Sequence, residues 1–263
     1  VRPMLDLTLF RLPAFAGVQL LAAAPAFSFV VLLVLLPARF IGIEGHSALE
    51  AGRMMIALSA PMLVLPILAG MAAQRIAAAH ICACGLLLAA GGLLWLSTCA
   101  PGQSPASLLG PLLLIGCGIS LPWGLMDGLA ISVVPIERAG MAAGIFNTTR
   151  VAGEGLALAI VSALLGTFAV AALGHAGLAG IGAQQAAHAA PFLALGELRH
   201  AATLLPQAGA AELAQAYGTA FRHLLYVLAS ITTASALLIL AFLRHPAPAA
   251  TDTAALPACK AQQ

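Results

Sequence analysis

Apolar residues fall into six long runs, near 16–37, 49–72, 79–98, 108–134, 140–169 and 219–243, separated by polar breaks. Each run reaches the roughly 20 residues that a helix needs to cross about 30 Å of hydrocarbon. Inside lipid every backbone N–H and C=O must find an internal partner, so runs of this length predict helices. The short alternating strands of a closed barrel are missing from the pattern. The expected fold is therefore an all-α membrane protein, a six-transmembrane-helix bundle over 1–245. The first apolar run is longer than the hydrophobic core of a cleavable signal, which points to a spanning helix. The connection 174–217 is rich in Ala and holds His175, His188, Glu197, Arg199, His200 and Glu212. Such content is costly in hydrocarbon, so this stretch is expected as an outer loop with short surface helices. Its part 192–205 has a pattern suited to lying on a membrane surface. The Pro/Ala-rich end, 246–263, is expected to be a disordered cytoplasmic tail.

Composition agrees with the pattern. The chain is 62% hydrophobic and 8% charged, with mean hydropathy +1.03, against about 25% charged residues in a soluble domain. A net charge of +2 without a basic cluster argues against nucleic acid as a partner. The five cysteines lie mostly in or beside apolar segments, and Cys82-Ala-Cys84 has no matching His or Cys pair for zinc. Neither a metal nor a cofactor is expected. On a six-helix zigzag, Arg2, Arg11, Arg75, Arg138, Arg244 and Lys260 fall on one side, and Arg39, Arg53, Arg199 and Arg222 on the other. The positive-inside bias then places both termini in the cytoplasm.

Few polar groups interrupt the spans, and these are the candidate functional residues. Asn147, Arg150 and Glu154 follow one another at spacings of three and four, so they share one helical face, which Gly140 and Gly144 extend. A charged side chain at the centre of a membrane helix costs about 2.5–3.5 kcal/mol on insertion scales. That face must look into protein or a watered cavity. Glu154 lies about halfway along its predicted helix, where a long side chain is least able to reach the interface. Hydrocarbon favours its neutral acid and Arg150 favours its carboxylate. Either the two form a packing ion pair or Glu154 exchanges a proton or meets a cationic cargo. Asp127 is the second candidate carboxylate, with capping or pairing to Arg138 as the alternative. Gly140, Gly144 and Gly153 are the expected close-packing positions. Pro25, Pro61, Pro66 and Pro122 predict kinks.

The string Pro135-Ile-Glu-Arg-Ala-Gly140 … Asn147-Thr-Thr-Arg150-Val-Ala-Gly153 resembles the thirteenth-helix region of fourteen-helix drug/proton antiporters of the major facilitator superfamily. The likeness runs from about Phe10 to Arg244 and corresponds to that family's last six helices, one half of a major facilitator fold. It implies alternating access, with export of small organic compounds against inward proton flow, in the plasma membrane (the inner membrane of a bacterium). Membrane carboxylates of such proteins commonly couple protons, which singles out Glu154 and Asp127. The family often has Gly where this chain has Glu154. Gly70 and Arg75 match the family's loop between its helices in a degenerate form, since Gln74 replaces the usual Asp. A partner is implied as well: an N-terminal half or a second polypeptide to complete the transporter.

Two other classes compete. A non-transporting remnant or packing subunit would show the same spans. A membrane enzyme lacks its constellation: Asp127 is the single Asp within a span, and no His-Glu-x-x-His string occurs.

Overall fold

The computed structural model of the chain describes residues 13–132, 134, 139–175 and 183–243. The expected tail, and the charge assignments of Arg2, Arg11, Arg138, Arg244 and Lys260, lie outside the described residues. Among the described residues there is no strand, and six helices are long and apolar enough to cross a membrane. They are α1 (Phe15–Ile43), α2 (Ala48–Ala72), α3 (Ala78–Ser97), α4 (Pro105–Ser132), α5 (Ala139–His175) and α8 (Ala210–Leu243). Two short helices, α6 (Ala183–Ala194) and α7 (Leu198–Leu204), lie between α5 and α8. The fold is an all-α membrane bundle.

Proline chemistry shapes the spans. In α1, Pro25 and Pro37 each precede a wider π-helical turn, Ala26–Val30 and Ala38–Ile43. A proline lacks the N–H that would hold the preceding turn, and its ring crowds the carbonyl four residues back. The second π-helical turn carries α1 on to Ile43, past Pro37 where the apolar run was expected to end. In α2, Pro61 marks a short 3₁₀ stretch, Ala60–Leu63, before the helix resumes at Leu65. The start of α2 is fixed by Ser47, whose Oγ accepts from Glu50 N while Glu50 Oε2 accepts from Ser47 N at 2.9 Å, a reciprocal cap.

The spans pack around α1. Helix α3 lies against α4 and α8; α1 touches α8, α5 and α4. The α3–α4 contact is close because glycines face each other: a Cβ at Gly118 would stand 2.5 Å from Ala89 N. At one end of the bundle, Arg39 is buried and its Nε donates to Glu44 Oε1 at 2.7 Å. Its Nη2 donates to the Cys99 carbonyl at 3.1 Å, and its guanidinium lies 5.1 Å from the Phe221 ring centroid. One side chain thus ties α1, the α3–α4 turn and α8 together.

The same end carries α6 and α7. Ala189, Ala190, Leu193, Ala201 and Leu205 are fully buried, so these helices seat an apolar face on the bundle. Between them Gly196, at φ +83°, presses its backbone against that of Gly42 and Ala38. Only glycine takes that φ and that approach without strain.

Candidate functional site

Helix α5 presents Asn147, Arg150 and Glu154 along one side, as 3.6-residue periodicity requires. Across from them α4 is interrupted after Trp123: Gly124 N donates to Ser120 O at 3.2 Å and Leu125 N to Pro122 O at 3.0 Å before the helix continues from Met126. That break turns Asp127 toward α5. Between α2, α4 and α5 lies an open hollow of about 480 Å³, whose walls include Asp127, Arg150 and Glu154 together with Met62, Pro66 and Trp123.

Arg150 organises its polar wall. Its Nη2 donates to Asn147 Oδ1 at 2.8 Å, and its Nη1 lies 3.6 Å from Asp127 Oδ1. The guanidinium also sits 5.9 Å from the Phe146 ring centroid. The Asp127 contact is loose, since charge-assisted N–H···O bonds run about 2.7–2.9 Å. With 28% of the Arg150 and 68% of the Asp127 side chain exposed, such a pair contributes about 0–1 kcal/mol.

The Arg150–Glu154 ion pair that the spacing permits is not formed. Helical side chains lean toward the N-terminus, so Arg150 reaches back to Asn147 rather than forward. Glu154 borders the hollow, half-buried, and makes no ion pair or hydrogen bond with a described residue.

Aromatic rings pack at the far end of α5. Phe168 meets His223 of α8 with centroids 6.0 Å apart, and Phe221 on that same stretch touches Arg39. From Phe168 to Glu154 the helix rises about 21 Å at 1.5 Å per residue.

The remaining predicted positions scatter. A Cβ at Gly140 or Gly144, both expected at a helix contact, would meet no described atom within 4 Å, whereas Gly153 faces the Ala23 Cβ of α1 at 3.2 Å. Gly70 is exposed near the end of α2, and Arg75 is exposed in the turn to α3; neither borders the hollow. Arg138, the alternative partner considered for Asp127, lies outside the described residues.

Two features were missed from sequence. Trp123 lines the hollow, packs edge-on to Phe29 at 5.2 Å, and its Nε1–H has no acceptor among the described residues. Its spacing of four from Asp127 was an available signal. The Arg39–Glu44 pair was the other, hidden because Pro37 ended the apolar run.

No family model matches the chain. Over 172 residues, 65% of the chain, it is 32% identical to the Multidrug resistance protein Stp of Mycobacterium tuberculosis, of which the match covers 32%. Over 166 residues, 63% of the chain, it is 27% identical to the Uncharacterized transporter YebQ of Escherichia coli, of which the match covers 36%. The chain thus aligns with about a third of the length of these curated relatives.

Proposed function

We propose that the chain is one six-helix half of a proton-coupled secondary transporter that exports small organic compounds by alternating access. The observation that carries this reading is the meeting of Asp127, Arg150 and Glu154 around one open hollow between helices long and apolar enough to span. Charges on such helices are disfavoured by lipid, and an open hollow lets water reach them. The names of the relatives, a multidrug resistance protein and a transporter, support the same reading.

In this proposal two bundles rock about a site between them. The second bundle is supplied by further residues of the same protein or by another polypeptide. Glu154 carries the coupling proton, and Asp127 meets the cargo. Arg150 and Asn147 complete the polar wall, and the Gly70–Arg75 turn belongs to a degenerate gate. The bundle sits in the plasma membrane (the bacterial inner membrane), with both termini in the cytoplasm.

The test is transport by the complete protein in proteoliposomes under an imposed pH gradient. Glu154→Gln is expected to abolish proton-driven transport while membrane insertion is unchanged. Undiminished transport by that variant would remove Glu154 from the coupling.

A further inference from the structure

We infer that Tyr217 and Glu44 are the two halves of a latch: in a second conformation of the bundle the Tyr217 hydroxyl donates to Glu44 Oε2, a hydrogen bond that stands open in this structure. The inference rests on the transport reading above, to which it adds a conformation-dependent bond at the end of the bundle that carries α6 and α7.

Three observations carry it. The first is an unmade bond between complementary groups. Tyr217 is fully buried and the Glu44 side chain is 2% exposed. Neither Tyr217 Oη nor Glu44 Oε2 has a hydrogen-bond partner among the described residues. His46 Nε2 lies 3.5 Å from Glu44 Oε2, outside the usual N–H···O range. Buried polar groups are nearly always paired, so a donor and an acceptor left over in one cluster are a matched pair. The second observation is that they share a cluster. Arg39 Nε holds Glu44 Oε1 at 2.7 Å, and its guanidinium lies 5.1 Å from the Phe221 ring, on which Tyr217 stacks with centroids 5.7 Å apart. The charges of Arg39 and Glu44 both act on the Tyr217 hydroxyl. Since Arg39 is held through Oε1, Oε2 is free to accept with no change in the charge of any group.

The third observation is room to move. The stretch 212–223 of α8 has open space on two sides. A hollow of about 680 Å³ separates it from Phe168 and Ala172 of α5, and one of about 240 Å³ lies between it and the α3–α4 turn. Gln215 and Thr219 line both hollows. Between them Gly218 meets the Pro101 ring, where a Cβ would stand 2.7 Å from Cδ. The outer turns of α8 therefore touch the α3–α4 turn at a glycine and have space beside that contact. A small rotation of α8 about it sweeps the Tyr217 hydroxyl toward or away from Glu44. The bond is thus made in one position of α8 and open in the other.

The experiment puts spin labels at Thr167→Cys on α5 and Gln215→Cys on α8, on either side of the larger hollow, in a cysteine-free background of the complete protein. Double electron–electron resonance reads their separation. With Tyr217 in place, two separations are expected. Tyr217→Phe keeps the ring and its stacking but loses the donor, so the ratio of the two should shift about five- to tenfold toward one of them. Gly218→Ala wedges α8 against Pro101 and should leave a single separation. Tyr217→Phe should also keep the midpoint of thermal unfolding within about 2 °C, because the hydroxyl has no partner to lose in the open state. One separation only with Tyr217 in place, or a ratio unmoved by Tyr217→Phe, would overturn the latch. So would a larger fall in the midpoint with unchanged separations, which would mean that the hydroxyl is already bonded, directly or through a water. These readings need neither cargo nor a proton gradient, so failure of the latch is distinguishable from failure of the transport reading, which the Glu154→Gln assay tests.

Discussion

Arg39 and Arg150 are guanidinium groups in apolar helices with opposite surroundings. Arg39 and Glu44 are exposed by only 1% and 2% and touch at 2.7 Å, whereas Arg150 reaches across an open hollow to a solvent-facing Asp127. Removing one member of a buried pair strands the other charge, at a cost of about 3–5 kcal/mol, while replacing both is often neutral. Arg39→Leu is therefore expected to destabilise the purified protein by about that much, and Arg39→Leu with Glu44→Leu to recover most of it. Denaturant titration followed by helical circular dichroism reads both. A double variant no better than the single one would mean that the Cys99 carbonyl and Phe221 contacts, not the ion pair, carry the stabilisation. Asp127→Asn offers the contrast: its pair contributes about 0–1 kcal/mol, so stability should hold while transport falls.

At the scale of helices, glycine position decides close packing. Gly118 faces the backbone of α3, so Gly118→Val must push α3 and α4 apart; overpacking of this kind costs about 1–3 kcal/mol. A Cβ at Gly144 meets nothing described within 4 Å, so Gly144→Ala is expected to be neutral or to stabilise by up to about 1 kcal/mol through helix propensity. Paired thermal unfolding of the two variants in one detergent checks the contrast, and equal losses would refute it. The same two glycines show how far the chain could be read without coordinates. Number and type of the spans were legible, because each apolar run is long enough that lipid leaves helix as the solution. Which glycine meets a neighbour was not, since that depends on the rotation of each helix about its axis. Ends were blurred for a similar reason. Pro37 stops the apolar run, yet a π-helical turn and the buried Arg39–Glu44 pair carry α1 to Ile43. Likewise α8 begins at Ala210 rather than near 219, since Leu213, Ala216 and Tyr217 are buried at the bundle end. The polar face of α5 was legible from spacing alone, but its partner was not. The turn of Asp127 toward α5 arises from the break after Trp123, and the lean of Arg150 toward Asn147 from the direction of helical side chains.

Across the whole molecule, one question decides whether the hollow is a passage: does the α5 face border water or lipid? Val151 and Leu237 pose it with matched chemistry. Both are aliphatic, both lie on spanning helices, and their exposures are similar at 64% and 58%. Val151 lines the hollow beside Asp127 and Glu154, while no described hollow includes Leu237 on α8. In a background with Cys82, Cys84, Cys99, Cys117 and Cys259 replaced by Ala, a single Val151→Cys should react with a charged, membrane-impermeant thiol reagent in open vesicles. A single Leu237→Cys should react at least tenfold more slowly, because thiolate, the reactive species, does not form in hydrocarbon. Cargo that fills the hollow should protect position 151 and leave position 237 unchanged. Equal inertness at both sites would make the α5 face a lipid-facing or packed surface. Asp127, Arg150 and Glu154 would then be polar groups held between helices, and the bundle a membrane packing unit rather than half of a pump.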